Sequence, residues 1–464
     1  MELQQRLSSL ADPTSPTYEL AMLFDKEGYD FHLVGGSVRD AILGEESYDI
    51  DICTNARPKE ILELLSGVAT DVWRQGEAFG TIGARFKGQD FEITTYRQEI
   101  YRDDSRKPEV EFGDSLETDL SRRDFTINAM AFSLPKAQLV DPYNGLDDLI
   151  NKRLRTPLSP EISFSDDPLR MMRAARFIAR FSCVPDDQLV QAVIEMRERL
   201  SIVSSERIRD ELCKLLVVPD PSPGLYFLSE TKLADEFFPE LNAMSLEQDP
   251  IHTHKDVLVH TIAVVANTRP ELRVRLAALM HDIAKPATRE IGDHGVSFHH
   301  HEVVGAKMTR KRMKALAFSK EMISEVSQLV FLHLRIHTYA MGWSDSAVRR
   351  YVRDAGDLLD DLNHLQRCDC TTRNKRRAEE LQARMDALEE RIVELSQKEE
   401  LKKIRPHLDG AQVMKHLDLK PGPNVGRALH YLLEHRLENG PIPEGEAYAL
   451  LDDWAKEQIT GSEG

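Results

Sequence analysis

Five cysteines in 464 residues (Cys53, Cys183, Cys213, Cys368 and Cys370) are scattered without a framework pattern. This excludes a disulfide-stapled scaffold and leaves reduced thiols as the expectation. Cys368 and Cys370, spaced by one residue, make a poor zinc knuckle. No run approaches 18 consecutive apolar residues, so no membrane span and no membrane partner are expected. The opening MELQQRLSSLADPTSP lacks a basic stretch followed by an apolar one, so no secretory signal is expected and the reading is cytoplasmic. Positive charge is also short: 60 Lys and Arg against 78 Asp and Glu give −18, which weighs against a nucleic-acid partner. There is no internal repeat and no low-complexity tract.

What is present modifies that average. LRMMRAARFIAR (169–180) has four arginines and no acid, and TRKRMK (309–314), RRYVR (349–353), RNKRR (373–377) and KKIR (402–405) are further basic runs. The first 150 residues mix strand and helix patterns. FHLVGGSVRDAILG (31–44) reads as strand, glycine turn and helix, YDIDICT (48–54) as a strand, and RPKEILELL (57–65) as a helix. FGTIGARFKGQDFEITTYR (79–97) reads as two strands joined near Gly88. Beyond residue 151 the patterns are helical. SSERIRDELCKLL (204–216) is expected to be capped by Ser205, and 377–403 to form one long charged helix. The class is α+β: a small mixed sheet over 1–150, a helical region over 151–250, a histidine-rich helical block over 251–375, and a helical tail over 376–464.

Asp49 and Asp51 lie two apart on the strand at 48–54, hence on one face, where like charges repel unless a cation sits between them. Ile50 is expected to face the core. Glu92, on the later strand, is a third candidate. Three converging carboxylates suit Mg²⁺, which prefers a few carboxylates plus phosphate oxygens. Gly35, Gly36 and Ser37 at a strand–helix junction leave N–H groups free for an anion, and Arg39, one turn later, is expected to grip the triphosphate with Gly36. A phosphate-binding turn beside paired carboxylates implies metal-assisted nucleotidyl transfer: one metal activates the attacking hydroxyl and the other holds pyrophosphate.

LVGGSVRDAILGEESYDIDICT, RRDFTINAMAF (122–132), DPYNGLDDLINKRLRT (141–156) and DDPLRMMRAARF (166–177) closely resemble, in order, the motifs of bacterial class II CCA-adding tRNA nucleotidyltransferases. That family shares its head with bacterial poly(A) polymerases. The resemblance implies a nucleotidyltransferase head followed by helical neck, body and tail. It also assigns base choice to Asp167 and Arg170, expected as i and i+3 neighbours on one helix. Cytosine and adenine share an amino donor beside a ring-nitrogen acceptor, so a carboxylate and a guanidinium select both and reject U and G. By the same resemblance Arg173, Arg176 and Arg123 contact the nucleotide. Asp166 stands where the family more often has Glu. Residues 97–112, with Arg106 and Pro108, resemble the flexible loop of members that add the whole CCA.

A second ordered set is LVHT (258–261), LMHDIAKP (279–286), HHHEVVGA (299–306), FLHLRIH (331–337) and RCDC (367–370). Adjacent His-Asp after an apolar helix needs a partner for each, and a divalent metal held by His260, His281, Asp282 and Asp369 supplies one. His301 and His333 are candidates for a second metal or a phosphate. The series resembles the HD phosphohydrolase domain, with Lys285 where members hold a basic residue and Ala284 in place of a common glycine. The resulting expectation is addition of CCA to tRNA from CTP and ATP, with possible HD phosphohydrolase activity. The alternatives are a poly(A) polymerase and an HD phosphohydrolase whose head only binds nucleotide.

Overall fold

Strand-forming segments come early and helices dominate thereafter, as the hydrophobic periods dictate. A computed structural model describes residues 3–45, 50–100, 109–112, 115–246, 256–292, 295–338, 343–370, 375–401 and 404–460. The chain divides into two compact units, Met1–Asn242 and Ala243–Gly464.

In the first unit the strands are β1 (Phe31–Val34), β2 (Ile50–Thr54), β3 (Asp71–Trp73), β4 (Thr81–Phe86), β5 (Gln89–Thr95), β6 (Arg97–Ile100), β7 (Glu109–Phe112), β8 (Ala131–Leu134) and β9 (Gln138–Val140), with a short parallel pair, β10 (Arg153–Leu154) and β11 (Val184–Pro185), standing apart from the main sheet. Seven form one mixed sheet in the order β3-β4-β5-β2-β1-β8-β9, while β6 and β7 form a separate hairpin. Its one parallel pairing is β2 with β5, in register Asp51↔Glu92. β4 and β5 are joined at Lys87-Gly88, both at positive φ (50° and 82°), the two-residue turn that matches strand twist.

Alternation sets the sheet's two faces. Ile50, Ile52, Ile82, Ala84, Phe91 and Ile93 are buried. The helices Pro16–Lys26 and Pro58–Leu65 supply further buried apolar residues, Leu20, Phe24, Ile61 and Leu65. On the other face Glu92 is exposed and Asp51 partly buried, so Ile50 faces inward as expected. After the sheet come the helices Pro160–Asp166, Arg170–Phe181, Asp187–Met196, Ser205–Leu216 and Ser222–Glu230. The cap of the fourth is Ser204, whose Oγ accepts from the Arg207 N–H, and not the expected Ser205. Starting the helix at Ser205 points Ile208, Leu212 and Leu215 into the core.

Among its described residues the second unit is helical apart from one hairpin, Arg289–Gly292 with Gly295–Phe298. Long helices run over Val257–Asn267, Leu272–Met280, His301–Ala315, Lys320–Leu332, Asp345–Ala355 and Leu359–Asp369, followed by Lys375–Lys398. The last buries Met385, Leu388 and Leu395 along one stripe. Gly410–Leu417, Pro423–Asn439 and Glu444–Thr460 close around Val413, Val425, Ala428, Leu432, Ala447 and Leu451. All five cysteines are free, and no described helix is long and apolar enough to cross a membrane.

Candidate functional site

The glycine turn follows from the sheet. β1 ends at Val34, and Gly35 turns the chain with φ 65° and ψ −127°, a conformation outside the basins open to other L-residues. The helix Gly36–Leu43 starts there. A Cβ on Gly35 would fall 2.8 Å from Arg123 Nη1 and 3.7 Å from Asp51 Oδ2, so turn, guanidinium and carboxylate meet at one point. Ser37 Oγ accepts the Asp51 N–H at 3.3 Å, tying the helix start to β2. Glu92 reaches this place through the β2–β5 register. Asp49 and Arg106 lie outside the described residues, as does Pro108.

Among the described residues, the predicted arginines are found with anionic or carbonyl partners. Arg39 is buried, paired with Asp40 at 2.7 Å, bonded to Asn128 Oδ1, and stacked 4.7 Å from the Phe181 ring centroid. Arg123 and Arg122 pair with buried Asp119 at 3.2 and 2.7 Å. Burial pushes the Asp119 carboxyl up, but the two guanidiniums outweigh that and hold it below its ordinary value. Arg173 pairs with Asp124, and Arg176 with Glu211 at 2.7 Å. At Asp124 burial again opposes ionisation, and Arg173 with the Asn128 amide overcomes it, bringing the carboxyl down to about 2. Asn128 also donates to Asp124 at 2.9 Å, so one polar chain runs from Arg39 through Asn128 and Asp124 to Arg173.

The expected helix carrying both Asp167 and Arg170 is not found. Asp167 is the extended residue that ends Pro160–Asp166 (φ −143°, ψ 100°), and the next helix begins at Arg170. The cause is Pro168, which disfavours helical backbone in the residue before it. Asp167 Oδ1 accepts the Leu169 N–H at 3.1 Å and Oδ2 accepts from Arg207 at 2.8 Å. Arg170 commits three of its five N–H donors to Ser163 and the Arg122 carbonyl. Sequence reasoning missed Asp119, Asp124, Asn128, Arg207 and Glu211. Asp124 and Asn128 stood inside the quoted RRDFTINAMAF, Arg207 and Glu211 inside SSERIRDELCKLL, and Asp119 lies three and four residues before Arg122 and Arg123.

In the second unit the six predicted ligands converge. His260, His281 and Asp369 bring one donor atom each within 4.8 Å of one another, as do Asp282, His301 and His333. His260 Nε2 lies 2.9 Å from Asp369 Oδ1 and 3.3 Å from His281 Nε2. Asp282 Oδ2 is 3.1 Å from His281 Nε2 and 2.7 Å from Lys285 Nζ, while Oδ1 is 3.5 Å from His301 Nε2. His281, His301 and His333 each donate Nδ1–H to the carbonyl three residues back, at 2.7, 2.9 and 2.6 Å. That bond fixes the tautomer and aims Nε2 into the cluster.

The Nε2 atoms of His301 and His333 are buried without a hydrogen-bond partner, an arrangement that a bound cation satisfies. Burial disfavours the His281 imidazolium, yet Asp282 and Asp369 push it up to about 10. Burial and then His281 push His333 down to about 3, leaving its Nε2 unprotonated at neutral pH. Two carboxylates and four imidazoles facing one space fit a divalent metal of the late first row better than Mg²⁺.

Known proteins share this organisation. The poly A polymerase head domain model matches residues 31–155, a model described as the probable RNA and SrmB-binding site of polymerase A matches 185–245, and the HD domain model matches 257–401. The A-adding tRNA nucleotidyltransferase of Deinococcus radiodurans is 33% identical over 442 residues, 92% of this chain and 95% of that one. The CCA-adding enzyme of Lactobacillus helveticus is 36% identical over 232 residues, 50% of this chain and 57% of its own length. A solved Bacillus stearothermophilus CCA-adding enzyme in complex with CTP shares the fold at 23% identity, with a TM-score of 0.69 over 97% of this chain and 99% of that one. With a tRNA nucleotidyltransferase matched along nearly its whole length, and head, RNA-binding and HD models in succession, this chain belongs to the tRNA nucleotidyltransferase/poly(A) polymerase family.

Proposed function

We propose that this chain adds CCA to the 3′ end of tRNA from CTP and ATP, without a nucleic-acid template. One observation carries the reading: strand register sets Asp51 beside Glu92, and the Gly35 turn and Arg123 meet Asp51 from the side. This puts two carboxylates next to N–H donors at a helix start, the combination that nucleotidyl transfer needs. Asp49, Asp51 and Glu92 are the residues we assign to Mg²⁺. When bound, that ion lowers the pKa of the attacking hydroxyl and stabilises charge on pyrophosphate.

The chain's own groups do the rest. The N–H groups of Gly35, Gly36 and Ser37, with Arg123, hold the triphosphate. Asp167 accepts from the amino group shared by C and A, and Arg170 donates to the ring nitrogen with the N–H groups it has not committed. Because Arg123, Arg173 and Arg176 already have carboxylate partners, nucleotide binding exchanges one anion for another and needs no naked charge beforehand. Arg39, expected from the sequence to grip the triphosphate, is buried and tied to Asp40 and Asn128, and we assign it instead to fixing the helix that presents the turn.

In the second unit we assign His260, His281, Asp282, Asp369, His301 and His333 to divalent metal and a phosphohydrolase activity, with Lys285 beside the phosphate. We divide the chain into head (1–150), neck (151–250), HD domain (251–375) and tail (376–464), and place it in the cytoplasm, where its free thiols stay reduced.

A second reading, addition of A alone to ends already carrying CC, is favoured by the Deinococcus radiodurans relative, matched along 95% of its length and named A-adding. The assay supplies tRNA ending before CCA, and tRNA ending in CC, with CTP, ATP or both, and sequences the products. CCA on the first substrate supports the main reading. Action on the CC-ended substrate alone selects the second, and long A tails from ATP alone reject both.

A further inference from the structure

Beyond Glu92 the carboxylate face continues to the sheet edge. Trp73 of β3 pairs with Gly83 of β4, Gly83 with Glu92 of β5, and Glu92 with Asp51 of β2. Residues opposed in register project from the same face, so Trp73, Glu92 and Asp51 stand in one row. The indole rests on Gly83: a Cβ there would fall 1.8 Å from Trp73 Nε1 and 2.1 Å from Cε2. Only glycine lets the ring lie against the strand. Strand spacing puts the Trp73 backbone about 10 Å from that of Glu92, and the side chain is only partly buried.

We infer that Trp73 is the stacking platform for the terminal base of the acceptor RNA, the nucleotide whose 3′-hydroxyl attacks. The inference rests on the proposed reading of the head as a nucleotidyltransferase. In phosphoryl-type transfer the attacking and leaving oxygens lie roughly in line, on opposite sides of the phosphorus. Gly35 to Ser37 follow β1, so the triphosphate lies on the β1 side of the carboxylates and pyrophosphate departs that way. The hydroxyl then approaches from the β4–β3 side, where the row ends at Trp73.

Stacking also suits the task. The terminal base of the acceptor changes with every addition, so a hydrogen-bond pattern matched to one base would fail on the next. An aromatic face accepts any base, because every base has a π face. The same residue therefore serves each step.

The test measures KM for tRNA, KM for CTP, kcat and thermal stability for the full chain, W73L and W73Y. Leucine keeps an apolar cover on Gly83 but offers no ring. W73L is expected to raise the tRNA KM by about 5- to 150-fold, the equivalent of about 1–3 kcal/mol for one stacked base, with the CTP KM unchanged. W73Y should restore most of the loss. An unchanged tRNA KM in W73L refutes the inference, as does a CTP KM that rises in parallel with a lower melting temperature, which marks a structural role. Absence of any nucleotide addition by the unsubstituted chain refutes the functional reading and the inference together.

Discussion

Gly35→Ala probes the point where turn, guanidinium and carboxylate meet. The backbone there has φ 65° and ψ −127°, which costs alanine roughly 1–3 kcal/mol. Its methyl group would also lie 2.8 Å from Arg123 Nη1, so the guanidinium must move. Arg123 shares Asp119 with Arg122, and moving it weakens one of two charged contacts to a buried carboxylate, worth about 1–2 kcal/mol more. Gly88→Ala is the control, at φ 82° in the β4–β5 turn with nothing within 4 Å of the new methyl. It should cost only the backbone term, roughly 1–2 kcal/mol. Urea unfolding should therefore rank Gly35→Ala below Gly88→Ala by about 1–3 kcal/mol. CTP addition should fall about 100-fold or more in kcat/KM for the first variant, since displacements near 1 Å at a reacting centre cost that much, and be unaffected in the second. Equal stability of the two variants, with full activity in Gly35→Ala, would refute the account of the cradle.

Asp51→Asn and Glu92→Gln should each reduce nucleotide addition by about 100-fold or more without lowering the melting temperature, because both are near-isosteric changes on the less buried face; unchanged turnover in either would remove that residue from the catalytic set. Asp124 has its carboxyl brought from an ordinary 3.8 to about 2, so it contributes stability above pH 4 that is lost as pH falls through 2. The difference is worth about 2 kcal/mol. Asp124→Asn should flatten the stability profile in that window, and a profile identical to the parent's would contradict the Arg173 pairing. For the second unit, a divalent metal at about 100 times its Kd should add about 2.7 kcal/mol of stability. His281→Ala with Asp282→Ala should abolish that gain while CTP addition continues, and persistence of the gain would place the ion elsewhere.

Much of this was readable in the sequence because it depends on short periods. Ile50 between two aspartates gave the buried side of β2, and Lys87-Gly88 gave a turn between two alternating runs. The candidate HD ligands were legible as types in order, and their convergence follows from helix ends: His281 and His333 cap helices, and Asp369 ends one. What stayed hidden were long-range partners. Asp124 and Glu211 neutralise arginines on another helix, and a lone carboxylate carries no local mark of that duty. The Asp167–Arg170 geometry was misread although Pro168 announced it. A basic stripe in steps of three suggested one continuous helix, and the proline rule should have taken precedence there.

The parallel pairing of β2 with β5 has a consequence for biosynthesis. Between the two strands the chain forms Pro58–Leu65, β3 and β4, and comes back alongside β2 only afterwards. Asp51 leaves the ribosome long before Glu92, and the two become neighbours only when the intervening hairpin has docked. A nascent fragment that ends before β5 lacks Glu92 beside Asp51. On the proposed assignment the two carboxylates stand together only once β5 has joined the sheet, so a head that loses β5 is expected to lose nucleotide addition outright instead of fading by degrees.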